Sequence, residues 1–321
     1  MAWASPWIRR AIRIGGTALA LAWIAHRLDG AALVDALGQF PAWAFLIPTI
    51  GLLINTLNQA LRISWVLSRL GHVLPFRVVL SCLMRGAFIG LTLPAGGGEI
   101  AKTALIARAG PGMHAAVSTL IAVRLTQLPS WILVLCWGLT ISAYTATPVL
   151  MVAAVTFSAI ATALLLIVGM GQLPWRDTWP WSEEVNRWRS SFRTIKGQGG
   201  LLTALVALGV IAALVNSAIV WALLLAVGTP IPFAIVLALI PAADVLIWLP
   251  ISVGGVGVRE SVFALALTPW GVSAPSAVAI GIVRWTGELA RGTIGCMLLA
   301  LGEGRPCAVE GEHPEGEVRD E

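Results

Sequence analysis

The chain has 321 residues, 58% of them hydrophobic and only 12% charged, with a formal net charge of +5 and a mean hydropathy of +0.86. Soluble domains carry about 25% charged residues, so a water-soluble fold is excluded. No stretch is polar and long enough for a separate soluble catalytic domain. The basic residues sit mostly in short loops, which is the pattern that orients membrane proteins and not a nucleic-acid-binding patch.

Several apolar stretches reach the roughly 18–20 residues that cross a hydrocarbon core. The first predicted span, about 11–27, follows Arg9 and Arg10 and contains Arg13. Such a start also fits a signal peptide, but further spans follow at once, so a retained span is preferred. Span two is predicted at about 42–66, followed by a basic turn with Arg69, His72 and Arg77. The apolar run 78–93 ends at LPAGGGE, Leu93 to Glu99, and a short stretch 100–109 carries Lys102 and Arg108. Further spans are predicted at about 113–142 and 147–169. The loop 171–200 is expected to hold an interfacial amphipathic helix that starts at Ser182 and carries Val185, Trp188, Phe192 and Ile195 on one face. Another span covers about 201–227. The run 231–249 ends at LPISVGGVGVRE, Leu249 to Glu260. A short stretch 261–269 and a last long span of about 273–302 complete the hydrophobic part. The acidic tail 303–321 is expected to be disordered.

Orientation follows from Lys and Arg. With the N-terminus inside, the turn 67–77 and the loop 171–200 are cytoplasmic, provided that 78–109 enters from the cytoplasm and returns. The segment 231–269 must likewise enter from outside and return, and the C-terminus ends inside. The expectation is an all-α polytopic membrane helix bundle of about six full spans plus two Gly/Pro-broken re-entrant hairpins. It forms one integral membrane domain, 1–302, in a bacterial inner membrane, with both termini cytoplasmic.

The two hairpins look like copies of one unit. Each has Leu-Pro, a Gly cluster and a Glu, then a Val-Arg-x-Thr on the next long span: Glu99 with Arg124, and Glu260 with Arg284. The units, about 42–142 and 201–302, would be upside down relative to each other. Inverted repeats with helices broken at matching places are a transporter signature, and the breaks point to the substrate site.

Backbone released by Gly and Pro at membrane depth must be satisfied by protein or water. Gly97 and Gly98 in one hairpin, and Gly255 and Gly257 in the other, let a ligand approach the backbone where a half-helix presents its N-terminus. Arg62, Arg85, Glu99, Lys102, Arg124, Asp244, Arg259, Glu260, Arg284, Glu288 and Arg291 all lie in or beside apolar runs. Each would cost about 2.5–3.5 kcal/mol at the centre of a lone helix, so they must face the bundle interior or an aqueous cavity. Arg284, Glu288 and Arg291 share one helical face by spacing. Arg124, Arg259 and Arg284 are the leading anion contacts. Glu99, Glu260, Gly97, Gly98, Gly255, Gly257, Arg85, Asp244 and Glu288 complete the candidate substrate site. Structural roles compete with these: the two Glu favouring helix N-termini and pairing with Arg124 and Arg284, Arg62 snorkelling to the cytoplasmic interface, and Asn55 and Asn216 bonding between helices.

GGGEIAKT at 96–103 nearly matches a phosphate loop, but Ala101 replaces the Gly before Lys102, and no preceding strand is predicted. Cys82, Cys136, Cys296 and Cys307 show no metal-ligand spacing. No catalytic residue, metal or cofactor is assigned.

The motifs LPAGGGE and Pro250 with Gly254-Gly255-Val256-Gly257-Val258-Arg259-Glu260 resemble the membrane region of lysylphosphatidylglycerol synthases and their stand-alone bacterial relatives. The resemblance runs over roughly 10–300, and the second motif is the more specific. It implies a flippase-like membrane protein without the soluble aminoacylating domain, whose cargo is a phospholipid or an isoprenoid-type lipid. The expected partners are membrane lipids with anionic head groups, another copy of the chain, or lipid-biosynthesis enzymes. Two rival functions remain: a membrane enzyme acting on lipid head groups with Glu99, Glu260 or Asp244 as general base, and a non-transporting partner in lipid biosynthesis.

Overall fold

The computed structural model describes residues 30–92, 97–143, 199–247 and 258–301. The expected spans 11–27 and 147–169, the amphipathic loop 171–200 and the tail 303–321 lie outside the described residues, as do the two hairpin tips. Among the described residues the structure is helical, with no strand.

A short helix α1 (Gly30–Gly38) and a 3-10 turn (Ala42–Phe45) precede α2 (Leu46–Arg69). Then come α3 (Phe76–Thr92), α4 (Gly97–Arg108) and α5 (Gly112–Ala143). The second half holds α6 (Gly199–Ala226), α7 (Phe233–Ile247), α8 (Val258–Leu267) and α9 (Ala274–Ala300). These bounds lie close to those expected from hydropathy. Helix α1, which packs on α9, was not expected, because nine residues are too few to stand out as a periodic segment.

Three helical stretches are long and apolar enough to cross a membrane: Ala42–Arg69, Gly112–Ser142 and Gly200–Ala226. Helix α9 has 27 residues, about 40 Å at 1.5 Å per residue, but Arg284, Glu288 and Arg291 interrupt its apolar character. Helix α2 has its polarity inside out. Leu46, Ile50, Ile54 and Leu57 form an exposed stripe at three- and four-residue spacing, whereas Thr56 and Arg62 are buried. Water would disfavour such a stripe; a hydrocarbon phase accepts it.

Helices α3 and α4 are the arms of an antiparallel hairpin. Gly90 faces Gly98, and Gly86 faces Lys102. A Cβ placed on Gly98 would lie 2.9 Å from the Gly90 Cα and 3.1 Å from the Gly86 carbonyl oxygen, so the arms touch backbone to backbone. Small residues four apart permit this approach between helices in lipid, where van der Waals packing drives association. Gly292 and Gly295 let α9 press in the same way on Leu91 and Met84 of α3, and Gly138 of α5 meets the backbone of α7.

The packing of the two halves is reciprocal. The first arm of each hairpin lies along the last long helix of the other half, α3 on α9 and α7 on α5. The second arm lies against the last helix of its own half, α4 on α5 and α8 on α9, while α2 and α6 meet between them. Three apolar clusters result among the described residues. The first joins α2, α3, α4 and α5 around Ile63, Leu67, Leu83 and Ile106. The second joins α6, α7, α8 and α9 around Leu223, Ile240, Phe263 and Ile280. The third and smallest joins α5, α6 and α7 around Trp131, Val134, Ala213 and Leu237. On α9 the ionisable residues begin at Arg284, where the second of these clusters stops at Val283.

Candidate functional site

Three polar networks occupy the interior. The first is a chain of side chains across four helices. Asn55 of α2 donates to Asn216 of α6 at 3.0 Å, and Asn216 donates to Asp244 of α7 at 3.0 Å. Arg284 of α9 lies 3.5 Å from the other Asp244 oxygen, with its guanidinium 5.9 Å from the centre of the Phe263 ring. Asp244 and Arg284 are both buried. The expected partner of Arg284 was Glu260. That carboxylate is buried against Gly281, one turn before Arg284, and the ion pair of Arg284 goes to Asp244 of α7.

The second network holds Arg62. It was expected to snorkel to the interface, yet it is 3% exposed. Its guanidinium donates to Gln127 Oε1 at 2.5 Å, to the Val123 carbonyl at 2.9 Å and to Thr126 Oγ1 at 2.8 Å. Helix α5 supplies a ready set of neutral acceptors, so the side chain turns inward. Gln127 and Ser130 pass the linkage to the carbonyls of Gly209 and Val206 on α6.

The third network encloses a cavity of about 200 Å³ between the first hairpin and α9. Gly86, Ala87, Gly90 and Leu91 of α3 form one wall. Gly98, Glu99 and Lys102 of α4 form a second, and Trp285, Glu288 and Arg291 of α9 a third. Helix α4 begins at Gly97, so its N-terminal N–H groups and the positive end of its dipole lie at this cavity. Glu99 Oε1 is 2.8 Å from Lys102 Nζ and 2.5 Å from Arg124 Nη2 of α5. Glu288 pairs with Arg291. The Lys102 stem lies flat on Gly86, where any side chain would collide with it. The residues Trp285 to Arg291 fall in the middle of α9, so the cavity sits at mid-height of that 27-residue helix.

The sequence-predicted residues are thus divided. Glu99, Gly98 and Glu288 line the cavity, Gly97 starts the helix that opens onto it, and Arg124 holds Glu99 from behind. Arg284 and Asp244 belong to the separate pair. Arg85 is buried and donates to the Leu298 carbonyl at 3.2 Å, near the C-terminal end of α9. Gly255, Gly257 and the side chain of Arg259 lie outside the described residues. Lys102, Arg291, Gly86, Gly90 and Trp285 were not among the expected site residues. The Gly86-x-x-x-Gly90 spacing beside a Gly-rich turn was the signal that could have found the glycine wall.

Among the described residues no group of three or more His, Cys, Asp or Glu is placed to hold a metal ion. What this arrangement can do is hold a small polar group at membrane depth against ionised side chains.

The match to known families agrees with this interior. Residues 10–285 match the family described as Lysylphosphatidylglycerol synthase TM region. The chain belongs to that family. No curated protein matches it. As a member of the lysylphosphatidylglycerol synthase TM-region family it is a membrane protein related to lipid metabolism, and the match includes both hairpins and the start of α9 through Trp285.

Proposed function

We propose that the protein moves a lipid with an anionic head group between the leaflets of a bacterial inner membrane. The observation that carries this reading is the ionised cavity between the first hairpin and α9, lined by Glu99, Lys102, Glu288 and Arg291. A charged group at bilayer depth is tolerated only where protein or water solvates it, and this cavity is such a place. The head group enters it while the tails stay in lipid. Arg124 orders Glu99 and Lys102, and the start of α4 adds its dipole.

The bundle has six full spans and two re-entrant hairpins, with both termini cytoplasmic. Support comes from the antiparallel contact of α3 with α4, where Gly90 faces Gly98 and Gly86 faces Lys102. The halves form an inverted repeat. Their reciprocal packing, each hairpin's first arm on the other half's last helix, supports that reading. Rocking of one repeat against the other would expose the cavity to each side in turn. Lipids are its partners, with no covalent step assigned.

The test is leaflet exchange in proteoliposomes with head-group-labelled lipids. Exchange should be faster with the wild type than with Lys102→Met plus Arg291→Met. Equal rates in protein-containing and protein-free vesicles would remove the transport reading, and a change in lipid mass would favour an enzyme.

A further inference from the structure

Asp244 is a buried carboxylate outside the cavity, and its contacts join the two halves of the bundle. Resting on the transport reading, we propose that Asp244 carries a proton that moves together with the anionic head group, and that Arg284 is handed from one to the other.

Asp244 and Arg284 are 9% and 6% exposed, so bulk water screens neither charge. Asp244 is the only ionisable residue of α7, and α6 has none. Of the other helices packed on α7, α5 carries His114, Arg124 and Cys136, and α8 carries Arg259 and Glu260. Arg124 is held by Glu99, and the Glu260 side chain lies against Gly281. Among the described residues, Arg284 of α9 is the charged group within ion-pair distance of Asp244.

The pair is loose. Arg284 Nη1 stands 3.5 Å from Asp244 Oδ1, and it is buried without a hydrogen bond. The other Asp244 oxygen accepts from Asn216, which accepts in turn from Asn55. A buried ion pair repays its desolvation only with good geometry and satisfied donors, and here a donor is left unmade. Such a pair opens at little cost when a better acceptor is offered.

That acceptor is a head group in the neighbouring cavity. Trp285, Glu288 and Arg291 line it, and Arg284 shares a helical face with Glu288 and Arg291 by spacing. An anionic phosphate there draws the Arg284 guanidinium toward it. Asp244 is then unpaired in the bundle interior, and a buried carboxylate without a partner takes up a proton in place of staying charged. The protonated acid keeps its hydrogen bond from Asn216 through its carbonyl oxygen. The charges of the proton and of a phosphodiester cancel, so the step adds no net charge to the interior. Each ligand favours the other by the same factor, and a proton gradient thereby drives the lipid.

The purified full chain in weakly buffered detergent, titrated with phosphatidylglycerol while a pH-sensitive dye reads protons, tests this. The phosphodiester of that lipid does not itself titrate near neutral pH. Binding should take up protons, and affinity should rise on acidification by up to about tenfold per pH unit, the limit for one linked proton. Phosphatidylcholine, neutral overall, should give no uptake. Asp244→Asn, which copies the protonated acid, should bind the lipid without uptake and with little pH dependence, whereas Glu260→Gln should keep both. Thermal unfolding checks that each variant is folded, and the wild-type measurement stands without them. In proteoliposomes with the membrane potential clamped by potassium and valinomycin, a pH gradient should gather labelled phosphatidylglycerol in the leaflet on the alkaline side, and nigericin should abolish this. Wild-type protein that binds the lipid without proton uptake, or fails to bind it, overturns the proposal. So does uptake that Glu260→Gln removes and Asp244→Asn retains. Leaflet exchange indifferent to the gradient sinks the coupling alone, whereas proton uptake on binding without any exchange sinks the transport reading alone.

Discussion

Glu99 of α4 and Arg124 of α5 meet at 2.5 Å, and Lys102 closes on the same carboxylate oxygen at 2.8 Å. One acid thereby ties the second arm of the first hairpin to the following long helix, on the edge of the cavity. The relationship between Glu99 and Arg124 links the packing of the hairpin to the charge of the site.

Removing that acid should therefore affect stability as well as binding. Glu99→Ala leaves Lys102 buried without its carboxylate. Loss of a fully buried partner costs about 3–5 kcal/mol. The Glu99 side chain is 40% exposed in the bundle, so about 1–3 kcal/mol is expected. Thermal unfolding of the purified protein should show the loss, and an unchanged midpoint would mean that the pair contributes nothing.

The hairpin arms depend on glycine. Gly98→Ala puts a methyl 2.9 Å from the Gly90 Cα, where backbone would have to move, and overpacking of this kind costs about 1–3 kcal/mol. Gly38→Ala has nothing within 4 Å and should be neutral or slightly stabilising by helix propensity. Comparable melting shifts in both variants would show that the close contact of α3 and α4 is not maintained.

Asp244 and Arg284 form the most enclosed ion pair among those of the described residues. Asp244→Ala or Arg284→Met alone should destabilise by about 3–5 kcal/mol, because each strands the other charge. The double substitution should cost clearly less than the two losses added together. Additive losses in a double-mutant cycle would mean that the two side chains do not interact.

Water should reach the cavity but not the outer stripe of α2. In a cysteine-free background, Leu91→Cys and Trp285→Cys should react with a membrane-impermeant thiol reagent, and Ile54→Cys should not. Protection at both cavity positions would argue for a dry helix junction in place of a head-group site.

Much of this was legible in the one-dimensional pattern. Hydropathy placed α2, α5 and α6 within a few residues, because in lipid every backbone group must be paired along a continuous helix. Glycine, proline and charge at Leu93 to Glu99 marked the hairpin, and the cost of burying charge singled out Glu99, Arg124 and Arg284. The Asn55 and Asn216 contact was expected as an interhelical hydrogen bond and is one.

By itself, then, the amino-acid sequence determined the membrane class, the approximate bounds of α2, α5 and α6 and which residues are costly to expose to lipid. These follow from local composition and from the free energy of placing charge in hydrocarbon. Only the tertiary structure decided which buried charges are neighbours. Spacing suggested Arg284 for Glu260, but Asp244 lies on α7, and its approach to α9 is a matter of packing. Arg62 turned inward because Gln127, Thr126 and the Val123 carbonyl happen to face it. Lys102 and Arg291 became cavity residues because Gly86, Gly90 and Gly98 draw the hairpin closed beside the middle of α9. Ion-pair partners are set by distances of a few ångströms between helices far apart in sequence, and no local pattern encodes those distances.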